Sequence, residues 1–240
     1  MKGTRFVELR DAGDPVGLAE RYDQGGADEL VFLDITASAE QRRTVIDLAQ
    51  RVAAVLTIPF CVGGGITSAD LAAAILRAGA DKIAVNTAAV RRPALIGEIA
   101  GRAGSQAAVL AIDAKKRSDG GYEVVVEGGR TSTGLDAIEW ARRGVAAGAG
   151  EILLTSIDRD GTRDGFDLEL TARVADAVRV PVIASGGAGS ASDFVELFTT
   201  TGSDAGLAAS MFHSGEVIVS DLKCALAAHG IRVRPSAEAA

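Results

Sequence analysis

The chain repeats part of its own sequence once, about 122 residues further on. Three pairs of segments carry the repeat: GADELVFLD (26–34) with GAGEILLTSID (148–158), IPFCVGGGI (58–66) with VPVIASGGA (180–188), and GADKIAVNT (79–87) with GSDAGLAAS (202–210). Solenoid proteins repeat units of about 20–50 residues. A single repeat at the much larger distance found here predicts two half-structures of similar fold.

Short runs of β-branched residues alternate with Ala- and Leu-rich segments along the whole chain. The predicted strands are 29–34, 58–63, 82–86, 107–113, 151–156, 181–185 and 205–208. Between the first two, Val45, Ala49 and Val52 recur with the spacing of one helix face. Apolar strands that alternate with helices form a parallel sheet covered by helices. Two halves of four βα units predict a single-domain α/β protein, a (βα)8 barrel with half-barrels at about 1–105 and 106–235.

The strand count is one short of eight. Eight helical segments are predicted, but the first of them, 15–25, has no predicted strand before it. The repeat places the partner of the strand at 107–113 upstream of Met1. We therefore expect the first barrel strand to be missing from this chain.

Composition excludes several classes of function. The net charge is −7 with no basic block and aromatic residues are 4%, which argues against nucleic acid as a partner. No apolar run approaches the about 18 residues of a membrane span, and the N-terminus lacks the apolar segment of a signal peptide. The two cysteines, Cys61 and Cys224, have no metal-ligand spacing. We predict a cytoplasmic protein without a metal or a cofactor.

Two glycine-rich turns follow strands at repeat-related positions. Gly63–Gly65 and Gly186–Gly187 expose backbone N–H groups with no Cβ in the way, and amides that lead into a helix suit phosphate. A single turn of this kind is more readily interpreted as structural. The presence of two such turns at repeat-related positions instead favours two phosphate-binding sites, here called cradles. Neither turn carries Lys or Arg, so N–H groups and helix dipoles would bind the anion. The sequence thus predicts a ligand with a phosphate at each end, and a side chain at Gly65 or Gly187 would weaken its binding more than it changes the fold.

A carboxylate stands where the strand at 107–113 is predicted to end. Asp113 would point into the mouth of the barrel as a general acid or base; a solvated loop carboxylate or a helix N-cap is the alternative. Asp34 and Asp158 end repeat-related strands and are predicted to support or orient other groups. After Asp113 the polar segment 114–133 predicts an inserted β-hairpin with its turn at Gly120-Gly121.

Seven segments resemble the cyclase subunit family of imidazole glycerol phosphate synthase: ELVFLDITAS, VGGGI, GADKIAVNTAAV, GSQAAVLAIDAK, GAGEILLTSIDRDGT, IASGGAG and LAASMFH. The resemblance implies a (βα)8 barrel of histidine biosynthesis. It also implies a substrate with a phosphate at each end, a phosphoribulosyl-formimino-aminoimidazole carboxamide ribotide. A partner glutaminase would supply ammonia, and the products would be imidazole glycerol phosphate and aminoimidazole carboxamide ribotide.

The resemblance also implies roles for individual residues. One phosphate would be held by Gly65, Asn86 and Thr87, and the other by Asp160, Gly161, Gly187, Ala209 and Ser210. Asp113 matches one of two catalytic aspartates, Thr155 and Ser185 line the mouth, and Lys2 lies in a loop that reaches over the substrate. Glu29, Lys82 and Glu151 match a charged ring where ammonia enters the barrel.

The chain departs from the family pattern at its start. The second catalytic aspartate of the family lies in a segment like CLDV shortly before the Lys-Gly of the loop, whereas this chain begins at Met1-Lys2-Gly3. A start codon set too far downstream is one hypothesis. The alternatives for function are the phosphoribosyl-formimino isomerase of the same pathway and an inactive bisphosphate-binding scaffold. Turnover that depends on ammonium separates the three.

Overall fold

A computed structural model describes residues 2–4, 7–10, 14–33 and 41–235. Its strands are β1 Lys2–Thr4, β2 Val7–Arg10, β3 Leu30–Leu33, β4 Phe60–Gly63, β5 Lys82–Val85, β6 Ala108–Lys116, β7 Tyr122–Val126, β8 Thr131–Asp136, β9 Glu151–Ser156, β10 Val182–Ser185 and β11 Ala205–Leu207. Its α-helices are α1 Pro15–Gln24, α2 Gln41–Ala53, α3 Ala69–Arg77, α4 Thr87–Arg91, α5 Ala94–Ala103, α6 Ala137–Ala146, α7 Leu168–Ala177, α8 Ala191–Thr200, α9 Ser210–His213 and α10 Val219–Ala228. Among the described helices, none is long and apolar enough to cross a membrane.

The seven strands predicted from sequence are all present and parallel. They are hydrogen-bonded in the order β11-β10-β9-β6-β5-β4-β3, and helices separate them along the chain. This arrangement confirms the α/β fold of the (βα)8 class. The described residues contain ten α-helices, whereas eight were predicted. The difference is the short helices α4 and α9, which directly follow β5 and β11.

The chain divides into two compact units. The first, called here the N-terminal unit, comprises Gly13–Ala111 and Arg143–Glu151; the second, the C-terminal unit, comprises Met1–Ala12, Ile112–Arg142 and Ile152–Ala240. The predicted division into half-barrels near residue 105 stays a prediction.

In the N-terminal unit, β3, β4, β5 and the first part of β6 form the parallel sheet. Leu33 pairs with Gly63, and Gly63 pairs with Ala84, in register across three strands. Ser68 is the N-cap of helix α3, and its hydroxyl accepts the N–H of Leu71, which satisfies one of the unpaired donors of the first turn. The buried face of α3 carries Ala72 and Ile75 at helical spacing, which packs it on the sheet.

In the C-terminal unit, β9, β10 and β11 pair in register. Ser185 lies between Thr155 on one side and Leu207 on the other. An aromatic core supports this sheet, with Phe166 and Phe194 in edge-to-face contact at a centroid distance of 5.1 Å. The carboxyl ends of β9 and β10 are thereby held side by side.

Strand β6 changes partners along its length. Its parallel register with β5 runs to Leu110, and from Asp113 to Lys116 it pairs antiparallel with β7. The predicted end of the strand at Asp113 is therefore wrong, because β7 supplies a new partner for three further residues. The predicted hairpin is confirmed: the N–H of Arg117 donates to the carbonyl of Gly121 over 2.8 Å at the Gly120-Gly121 turn.

Candidate active site

The three glycines after β4 have two different physical causes. Gly63 is the buried last residue of the strand, and a Cβ there would lie 2.8 Å from a Leu33 methyl and 3.0 Å from the Ala84 Cβ. Gly64 and Gly65 have φ of 93° and 62°, a left-handed backbone that side chains disfavour. The first glycine therefore allows packing between strands, and the next two allow the turn.

This turn and the end of β5 form what we call the N-terminal cradle, Gly65, Asn86 and Thr87. Asn86 is the N-cap of α4, with φ −120° and ψ −91°, and Thr87 is the first residue of that helix. Because β4 and β5 are parallel neighbours, both ends lie at the same edge of the sheet. The three predicted residues of the first phosphate site are thus brought together within one unit.

The C-terminal cradle, Asp160, Gly161, Gly187, Ala209 and Ser210, has the same construction. Gly186 and Gly187 have φ of 92° and 102°, and Ala209 is the N-cap of α9 with φ −124° and ψ −50°. The repeat seen in sequence is thus a repeat of backbone conformation, with a left-handed glycine pair and a short helix in each unit.

The second glycine turn is packed against other backbone. A Cβ on Gly186 would lie 2.7 Å from the carbonyl oxygen of Ser156, and one on Gly187 would overlap the carbonyl oxygen of Gly165. The N–H of Gly165 also donates to the carbonyl of Gly187 over 2.9 Å. This packing changes the expectation for Gly187: a side chain there disturbs the fold as well as any bound phosphate.

Replacing Gly187 with alanine is expected to lower the free energy of unfolding by about 2–3 kcal/mol, because overlap with Gly165 adds to left-handed strain of roughly 1–2 kcal/mol. Gly120→Ala is the matched control, since φ is +83° there and a Cβ meets nothing within 4 Å. Urea unfolding of both variants measures the difference. Equal losses would contradict the packing argument.

Polar side chains end the strands next to the C-terminal cradle. Thr155 and Ser185 are register partners at the ends of β9 and β10; Thr155 is buried and Ser185 half-buried. Asp113 is half-buried on the neighbouring strand β6, at the change from parallel to antiparallel pairing. These three predicted residues therefore lie on consecutive strands. Asp158 accepts the N–H of Lys116 over 2.7 Å, a contact suited to the supporting role predicted for it.

Two predicted residues fall where the structure gives no side chain. Asp34 lies outside the described residues, and so does the side chain of Lys2, whose backbone begins β1. In the described part of the chain, no group of three or more His, Cys, Asp or Glu side chains is arranged to hold a metal ion.

The predicted ring residues form an ion triad at the amino ends of strands. The Nζ of Lys82 lies 2.7 Å from an Oε of Glu29 and 2.7 Å from an Oε of Glu151. The other carboxylate oxygen of each glutamate is buried and has no hydrogen-bond partner among the described residues. The triad lies within the N-terminal unit, at the strand ends opposite to the N-terminal cradle.

Burial and the hydrogen bonds within this triad both shift the pKa values of its members. Burial raises the pKa of Glu29, although Lys82 opposes the change. For Lys82 burial acts to lower the pKa, but hydrogen bonds to Glu151 and Glu29 outweigh it and the pKa is raised. Lys82 is therefore a fixed cation between the two acidic side chains.

Sequence reasoning missed the hydrogen bonds that join β7, β9 and α7. The hydroxyls of Tyr122 and Ser156 both donate to the carboxylate of Asp167, the N-cap of α7. An aspartate before the periodic segment LELTARV is a helix-start signal that could have revealed the cap. No sequence signal links Tyr122 to it, because the two are 45 residues apart.

The parallel strands and the helices between them place the chain in a class of protein, the α/β proteins of the (βα)8 barrel type. The sequence profile of the histidine biosynthesis protein family matches residues 1–218, and the chain belongs to this family. It is 56% identical to the imidazole glycerol phosphate synthase subunit HisF of Synechococcus sp. (strain CC9311). That similarity covers 98% of this chain and 91% of the relative.

Proposed function

We propose that the protein is the cyclase subunit of imidazole glycerol phosphate synthase, an enzyme of histidine biosynthesis. It would combine ammonia with phosphoribulosyl-formimino-aminoimidazole carboxamide ribotide to give imidazole glycerol phosphate and aminoimidazole carboxamide ribotide. The observation that carries the proposal is the 56% identity to the HisF subunit over nearly the whole chain. A cytoplasmic location is part of the same proposal.

The two cradles would bind the two phosphates of this substrate. Each offers backbone N–H groups at a left-handed glycine turn and at the start of a short helix. Such N–H groups bind anions through hydrogen bonds and aligned peptide dipoles, so Lys or Arg in the turns is not needed. Two sites with the same backbone arrangement would suit a ligand that carries a phosphate at each end.

Asp113 would transfer protons during the cyclisation. A carboxylate serves as a general acid or base when it is held within hydrogen-bond reach of the reacting atoms. Half-burial and the antiparallel pairing with Val125 restrict the position of Asp113, while Thr155 and Ser185 on the next two strands supply hydroxyls beside it. These hydroxyls would orient the substrate between its phosphates.

A glutaminase partner would supply the ammonia. The relative is named a subunit, which supports a complex with a second chain. The triad of Glu29, Lys82 and Glu151 would lie where ammonia enters, since it stands at the strand ends opposite to the N-terminal cradle.

Turnover of the bisphosphate in ammonium salts, without any glutaminase, tests the proposal. We expect imidazole glycerol phosphate to form at a rate that rises with pH, because free ammonia increases as ammonium loses its proton. Consumption of the closed-ring precursor without ammonia would indicate the isomerase instead. Binding of the bisphosphate without turnover of either substrate would indicate a scaffold.

A further inference from the structure

One carboxylate in the C-terminal unit joins three separate elements. Asp167 accepts hydrogen bonds from the Tyr122 hydroxyl on β7 over 3.0 Å, from the Ser156 hydroxyl on β9 over 3.1 Å, and from the N–H of Leu170 in α7 over 3.1 Å. Tyr122 and Ser156 are 1% and 3% exposed and Asp167 is half-buried, so water has only limited access to these bonds. A half-buried carboxylate that accepts from three donors restricts the positions of all three.

Two of these donors, Tyr122 and Ser156, lie close in the chain to the proposed active site. Tyr122 pairs with Lys116 at one end of the β6–β7 ribbon, and the same ribbon pairs Val125 with Asp113. Ser156 follows Thr155 directly, and its carbonyl accepts the N–H of Asp160 over 2.9 Å. The hydrogen bond from Tyr122 to Asp167 therefore ties the strand that carries Asp113 to the end of β9.

We propose that Tyr122, acting through Asp167, is a positioning residue that holds the β6–β7 ribbon so that the Asp113 carboxylate keeps its place beside the strand ends of β9 and β10. The inference rests on the proposed function and adds to it a residue that does not itself touch the substrate. The phosphate cradles have no residue on β7, so Tyr122 controls the placement of the proton-transfer group separately from phosphate binding.

The surroundings of Tyr122 keep its ring and its hydroxyl in place. Lys116 and Arg173 lie over the ring, 5.6 Å and 5.5 Å from its centroid, and Glu169 forms ion pairs with both. Burial, together with the charge of Asp167, raises the pKa of Tyr122, so the phenol stays protonated and remains a donor at neutral pH. The ring is thus held by packing. The hydroxyl contributes only its hydrogen bonds to Asp167 and Glu169 at the start of α7.

Tyr122→Phe tests this role, because it removes the hydroxyl and leaves the ring. We expect kcat of the ammonium-dependent reaction to fall roughly 10-fold, since small displacements of a catalytic group cost one to two orders of magnitude. KM for the bisphosphate should stay within about twofold, because both cradles remain intact. Amide hydrogen exchange should become faster in β6 and β7 but not in β4 and β5.

The matched control is Tyr22→Phe, which makes the same chemical change at the only other tyrosine of the chain, on α1 in the N-terminal unit. It should leave kcat, KM and the exchange rates of β6 and β7 unchanged. An unchanged kcat in Tyr122→Phe, a rise in KM equal to the fall in kcat, or loss of the folded state in circular dichroism would overturn the inference. Absence of turnover in the unaltered chain refutes the proposed function itself, which is a different result.

Discussion

Asp113→Asn is expected to lower ammonium-dependent turnover by about 100-fold or more while bisphosphate binding stays near normal. The amide has nearly the shape of the carboxylate but cannot accept and return a proton. Asp113 stands on β6 at the change from parallel to antiparallel pairing, and neither phosphate cradle contains it. Steady-state kinetics gives the turnover, and calorimetric titration with the bisphosphate gives the affinity.

Asp176→Asn is the control for this change, because Asp176 is exposed on α7 and lies away from the strand ends. It should alter neither quantity. If Asp113→Asn loses binding together with turnover, Asp113 has a structural role. If it keeps full turnover, another group transfers the proton.

Lys82→Met is expected to destabilise the protein by about 3–5 kcal/mol, since removal of one partner from a buried ion pair leaves an uncompensated charge. Here two mostly buried carboxylates, Glu29 and Glu151, lose the cation that lies 2.7 Å from each. Methionine keeps most of the aliphatic stem of lysine, so the loss of stability is due to the removed charge and not to a change in side-chain volume. Urea unfolding at pH 7.5 measures it against Lys115→Met, a change at an exposed position of β6.

The loss in Lys82→Met should shrink as the pH falls. Burial already raises the pKa of Glu29, and removal of Lys82 takes away the hydrogen bond and charge that oppose the rise. A carboxyl group with a higher pKa in the folded state than in the unfolded state destabilises the fold when ionised, and this effect disappears below the unfolded pKa of about 4.3. The difference from the unaltered protein should therefore be smaller at pH 5 than at pH 7.5. A difference that does not change with pH would contradict this account.

The regular part of the fold follows from local sequence patterns. Each predicted parallel strand is a run of apolar residues bounded by glycine, proline or polar residues, and this pattern depends on near neighbours only. Helices α4 and α9 were missed because five and four residues are too few to show a helical period. The end of β6 was misplaced because its last residues pair with β7, a partner that the pattern of β6 itself does not reveal.

The candidate site was predictable where one short segment contains the signal. The glycine turns and the repeat-related pairs Asn86-Thr87 and Ala209-Ser210 could be read directly from the sequence. The packing that requires glycine at position 187 could not be predicted, because the backbone against which Gly187 packs is that of Gly165, on another loop. Contacts over long separations, such as Lys82 with Glu151 or Tyr122 with Asp167, depend on the assembled sheet and have no local signature.

The N-terminal unit is discontinuous in sequence, and this limits how the protein can be divided into fragments. A polypeptide that ended at Ala111 would lack Arg143–Glu151, and with it one of the two acidic partners of Lys82. The N-terminal unit is therefore not a continuous fragment that a cut after Ala111 would release whole. Split-gene complementation or exchange of halves between relatives would succeed only if the incoming fragment returned a carboxylate at the position of Glu151.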